Sequence, residues 1–209
     1  MNTTKSFIRH TATLLSWLFH PVIMPLAAAL ILLYSHTYVS YLPPAVKSYD
    51  LLLVLLNTIL IPMMYMFLLL RTGLITSFRL DSRKERIIPL TLYPVFTFIT
   101  FMVMKKIHQP VIVFDLFLGI TATALVTLLV TLRWKVSLHL AGMGAVSGFL
   151  FTASYRLGHE LFLTWWLLTL VVSGFLATAR MIHGSHTPAE VYVGFFLGFT
   201  AMSSVMIFL

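Results

Sequence analysis

The chain has 209 residues, of which 59% are hydrophobic and only 10% charged, and it carries a net charge of +8. A water-soluble domain holds roughly a quarter charged residues, so a soluble fold is excluded and lipid must serve as the solvent. The absence of cysteine removes disulfide and thiolate chemistry, and the basic residues lie in short loops between apolar runs, which fits lipid headgroups better than nucleic acid.

Apolar runs fall at 12–34, 50–70, 87–104, 111–132, 138–154, 160–179 and 189–208. Backbone groups in hydrocarbon must be satisfied within their own segment, so each run is expected to be a helix. The expected fold is all-α, a polytopic membrane helix bundle of about seven spans, with 1–209 forming a single membrane domain. The first run follows Lys5 and Arg9 but continues through Leu33 without a small-residue cleavage site, so it is expected to be a retained span rather than a signal peptide. Pro21 and Pro25 would kink that run, or make it re-entrant and leave six spans. The third run is short, and Lys105 and Lys106 at its end can snorkel to the interface.

The loops differ in character. Those after the first, third and fifth runs hold ordinary turn material: Tyr41-Leu42-Pro43-Pro44, His108-Gln109-Pro110 and Arg156-Leu157-Gly158-His159. Those after the second, fourth and sixth carry Arg79 to Arg86, Arg133 to His139 and Arg180 to Glu190. Two spans separate each of these from the next, so all three are expected on one membrane face. Ionisable residues gathered there form the candidate site.

Thr187-Pro188-Ala189-Glu190 reads as a capping box, with Thr187 as N-cap and Pro188 at the first helical position. His186 then precedes a helix N-terminus, a natural seat for an anion, and Arg180 could hold phosphate oxygens in a fork. Ser137 is the expected N-cap of the next-but-one preceding span, with His139 on its first turn. Small residues from Ala141 to Gly148, and Gly194 and Gly198 on the last span, would let those two helices approach closely and bring His139 and His186 together.

Arg180, five residues, His186, three residues and an acidic Glu190 resemble the third motif of the type 2 phosphatidic acid phosphatase superfamily. Val136-Ser137-Leu138-His139 stands where that family has Pro-Ser-Gly-His. Arg79, six residues and Arg86, with Pro89 nearby, is similar to its first motif. The resemblance covers about 79–200, so 79–209 would be a phosphatase-like core and 1–78 two additional N-terminal spans. Arginine stands for lysine at 79, Ile87 and Val136 for proline, Leu138 for glycine, Ala179 for serine and Glu190 for aspartate.

The resemblance implies a metal-independent phosphatase, needing no cofactor, that works through a phosphohistidine. His186 would be the nucleophile, Glu190 would orient it, and His139 would be general acid and then base. Arg79, Arg86, Ser137 and Arg180 would bind the phosphoryl oxygens. The substrate would be a lipid phosphate of the undecaprenyl diphosphate, phosphatidylglycerophosphate or phosphatidate type, in a bacterial inner membrane. Two alternatives stand beside it: a metalloenzyme using His183, His186 and Glu190, and a transporter or non-catalytic relative that binds anionic lipid. Glu190 and Ser137 taken alone are ordinary capping residues. His10, His20, His36, His108 and His159 are expected at the interface with no role. Ten of the fourteen Lys and Arg fall with the motifs and the N-terminus, which points that face to the cytoplasm, whereas the resemblance points the other way, because many of the family's membrane members work on the extracytoplasmic face. The side, like the oligomeric state, is open at this point.

Overall fold

The computed structural model describes residues 2–78, 80 and 82–208, with side chains from residue 6 onward. Among these residues the chain forms eight helices: α1 (Asn2–Leu18), α2 (Met24–Tyr34), α3 (Pro44–Arg71), α4 (Arg83–Lys106), α5 (Val111–Thr131), α6 (Leu138–Leu157), α7 (Glu160–Ile182) and α8 (Pro188–Phe208). Five of them, α3, α4, α5, α7 and α8, are long and apolar enough to cross a membrane.

The first apolar run is not one kinked helix. The chain leaves helical geometry after Leu18 and resumes at Met24, with Pro21 in the break and Pro25 in the first turn of α2. Pro21 offers no N–H to continue the α1 ladder, whereas Pro25 sits where an N–H would be unsatisfied anyway. With 11 residues, α2 spans only about 16 Å, short of the ~30 Å hydrocarbon core. A different proline effect shapes α3. Its turn at Leu55–Leu60 widens to π geometry just before Pro62, which relieves the clash of the proline ring with the carbonyl four residues back.

The centre of the bundle is α6. It packs most extensively on α8, and also on α7, α5 and α2. Glycines set this spacing. A Cβ on Gly198 would lie 2.0 Å from the Ala141 carbonyl oxygen, and one on Gly144 would lie 2.0 Å from that of Phe195. The two backbones therefore touch, as the small residues on both helices allow. Phe117, Phe149 and Phe162 are fully buried around this contact. At 20 residues α6 is long enough to span, yet its small and polar residues leave its most apolar stretch short of those in the five helices above.

Asp50, Gln109 and Asp115 are buried at the end of the bundle remote from the motif loops, and each is partnered. Arg156 pairs with Asp115 at 2.8 Å and donates to the Met206 carbonyl, and Gln109 donates to Asp50. Partnering of this kind is what makes a charge tolerable in hydrocarbon.

Candidate functional site

The three motif loops meet at one end of the bundle, as the span parity predicts. Arg86, buried at the start of α4, donates from Nε to the Leu80 carbonyl at 2.8 Å and from Nη1 to the Val136 carbonyl at 3.0 Å. Leu80 turns its carbonyl toward Arg86 from a left-handed conformation, φ 51°. Arg83 donates to the Leu132 carbonyl. Lys135 reaches the Ser185 carbonyl at 3.0 Å, and the Ser137 N–H donates to the Glu190 carbonyl at 3.0 Å. Cations and backbone amides thus stitch the loops together.

The capping box forms. Thr187 Oγ1 accepts from the Glu190 N–H at 3.4 Å, and Glu190 Oε2 accepts from the Thr187 N–H at 3.3 Å. The same Oε2 accepts from His186 Nδ1–H at 2.7 Å. Glu190 therefore both caps α8 and orients His186. A proton fixed on Nδ1 leaves the Nε2 lone pair of His186 free for chemistry. The His186 side chain is 1% exposed. Burial pushes its pKa down from 6.5 to about 4; the Glu190 hydrogen bond opposes this, and the Arg86 and Arg180 charges add to it. Burial thus favours the neutral imidazole.

Upstream, α7 ends at Ile182, and Gly184 adopts the left-handed turn (φ 64°) that stops it and sends the chain toward α8. Arg180 lies in the last turn of α7, close enough to act electrostatically on both His186 and His139.

His139 is on the first turn of α6, and its Nε2 lies 3.2 Å from the Ser16 carbonyl oxygen of α1. A carbonyl only accepts, so Nε2 carries the proton and Nδ1 keeps its lone pair. Ser137 holds the N-cap position but its side chain makes no capping bond; the hydroxyl is fully buried and unpartnered. It does not line the cavity described next, whereas Leu138 does. Arg79 lies outside the described residues.

A cavity of about 710 Å³ opens among these groups. Arg86, His139, Arg180, His183, Ser185 and His186 line its polar end. Its remainder runs between helices along Met24, Ala28, Pro62, Leu116, Ile120 and Met202. The volume is that of a drug-sized ligand site, and its two ends match an anionic head with an apolar tail.

Sequence reasoning missed one part of the site. Thr13, Ser16, Trp17 and His20 also line the cavity. Thr13, Ser16 and Trp17 are spaced by three and four residues on one face of α1, and His20 follows in the turn after it. That stripe was available in the sequence, hidden by its place in an apolar run.

Among the described residues no three His, Cys, Asp or Glu side chains are grouped to hold a metal ion. His183, His186 and Glu190 are not so arranged: His186 Nδ1 is engaged by Glu190, and His183 Nε2 lies 3.4 Å from Thr13 Oγ1.

The fold defines an all-α, polytopic integral membrane protein with an amphipathic cavity among its helices. No protein-family model matches the chain, and neither a curated protein nor a solved structure matches it.

Proposed function

We propose that this protein is a lipid phosphate phosphatase, a divergent relative of the type 2 phosphatidic acid phosphatase superfamily acting through a phosphohistidine. The observation that carries it is the buried His186, held at Nδ1 by Glu190, at the basic end of a cavity whose other walls are apolar. In the first step His186 Nε2 attacks phosphorus. The N–P bond forms, the P–O bond to the lipid breaks, and the departing oxygen takes a proton from His139 Nδ1, which first accepts it from the monoanionic phosphate of the substrate while Nε2–H stays on the Ser16 carbonyl. In the second step water attacks phosphorus while His139 takes its proton. The N–P bond breaks and orthophosphate leaves. Arg86 and Arg180 offset the charge that develops on the phosphoryl oxygens. A phosphomonoester or diphosphate on undecaprenyl, phosphatidylglycerol or diacylglycerol suits the site, and a bacterial inner membrane suits those lipids.

The test is phosphate release by purified protein from a panel of these three lipid phosphates, comparing wild type with His186→Ala and His139→Ala. Release by wild type that vanadate blocks and both variants lose is the expected result. Equal release by all three proteins would overturn the assignment. The buried Ser137 hydroxyl and the bulky Leu138 favour a second function, a binding protein without turnover. Saturable binding of a lipid phosphate with no phosphate released identifies that case.

A further inference from the structure

The N-terminal segment lies outside the part of the chain that resembles a phosphatase, yet it supplies contacts to two of the site's histidines. The Ser16 carbonyl accepts from His139 Nε2 at 3.2 Å, and Thr13 Oγ1 lies 3.4 Å from His183 Nε2. Thr13 Oγ1 already donates to the Arg9 carbonyl at 2.9 Å, so its lone pairs face His183. The His20 ring meets that of His139 edge-on, with centroids 5.3 Å apart and planes at 80°. The Val22 N–H donates to His20 Nδ1 at 3.4 Å, which ties this ring to the turn between α1 and α2.

We propose that His20 is a positioning residue for His139: its ring, clamped by the α1–α2 turn, holds the His139 imidazole against the Ser16 carbonyl. The proposal rests on the phosphatase function above for its consequence but not for its geometry. A ring free to rotate would exchange its tautomers, and either nitrogen could face the cavity. With Nε2–H held on a carbonyl, only Nδ1 is left to exchange a proton with a substrate. His139 is thereby fixed from outside its own helix, whereas His186 is fixed by Glu190 on the helix that directly follows it. His20, Arg180 and His186 are the ionisable groups acting on His139.

The packing is one ring against another, so the substitutions separate packing from charge. His20→Phe keeps an edge-on ring, and His20→Ala removes it. The direct readout is the nitrogen-15 spectrum of the histidine side chains in detergent-solubilised full chain, with His139 assigned by its loss in His139→Gln. Wild type and His20→Phe are expected to show His139 with the proton on Nε2. His20→Ala is expected to show averaged tautomers. A proton on Nδ1 in wild type, or an unchanged His139 in His20→Ala, would overturn the proposal. In the lipid-phosphate assay His20→Ala should lower kcat roughly ten- to hundred-fold with little change in KM, and His20→Phe should recover most of it. Loss of KM alone, or no recovery with Phe, would also overturn it. Wild type that releases no phosphate would defeat the phosphatase function while the nitrogen spectra still decide the role of His20.

Discussion

The contact of α6 with α8 can be tested by adding one methyl group. In Gly198→Ala the new Cβ would sit 2.0 Å from the Ala141 carbonyl oxygen and 2.8 Å from the Ala145 nitrogen, where ordinary contact begins at 3.4 Å. Both obstacles are backbone, so no side chain can swing aside. The helices must separate by roughly 1 Å, against a close-packed interior. Overpacking of this kind costs about 1–3 kcal/mol. The separation also moves His139 at the start of α6 away from His186 at the start of α8, and a misplacement near 1 Å costs about 100-fold in rate. Gly174→Ala on α7 is the control, since nothing lies within 4 Å of its Cβ. In a helix interior that change gains about 0.5–1 kcal/mol from propensity. Thermal unfolding in detergent, followed by tryptophan fluorescence, should fall for Gly198→Ala and hold or rise for Gly174→Ala. Phosphate release should drop only for the former. Equal melting and equal activity of the two variants would refute the view that touching backbones set the site.

Three further outcomes follow from the same geometry. Glu190→Gln keeps an acceptor for the Thr187 N–H but no longer favours the proton on His186 Nδ1; phosphate release should fall about 100-fold or more while the melting temperature barely changes. The unfolded chain takes a proton on His186 near pH 6.5, whereas the folded chain resists until about 4. The unfolded state therefore binds more protons within that window, and stability should fall as pH drops through it. Melting at pH 7 and pH 4.5 should show a smaller loss for His186→Gln than for wild type. Arg86→Lys retains the charge but cannot hold both the Leu80 and Val136 carbonyls, and leaving one buried acceptor unmet costs about 1–3 kcal/mol; a lower melting temperature with weaker activity checks it.

Much of this arrangement was legible because it depends on local chemistry or on parity. Thr187 and Glu190 announce the α8 cap by spacing alone, and the hydrogen bonds between them follow. The small residues of α6 and α8 announce close approach, and Gly194, Gly144 and Gly198 make it. Counting spans put Arg86, His139 and His186 at one end. What could not be read depends on tertiary placement. Pro21 and Pro25 signal a disturbance, but not that the chain would break and turn His20 onto His139. Ser137 has the identity and position of a cap, yet its backbone conformation and surroundings leave the hydroxyl buried without a partner. Glu190 reads from the sequence either as a cap or as an orienting carboxylate, and one oxygen serves in both capacities.

The modest apolarity of α6 has a consequence for biogenesis. Its glycines, alanines and serines match the surfaces of α8, α7 and α5 rather than acyl chains, so little drives it into the bilayer alone. It is emitted from the ribosome before α7 and α8, the partners that give it its tightest contacts. The nascent segment must therefore wait, sheltered by the insertion machinery or by α5, until α7 and α8, about the last quarter of the chain, arrive. A truncation before α8 would strand it, and quality-control proteases would meet a half-built protein whose central helix lacks the neighbour it packs on most.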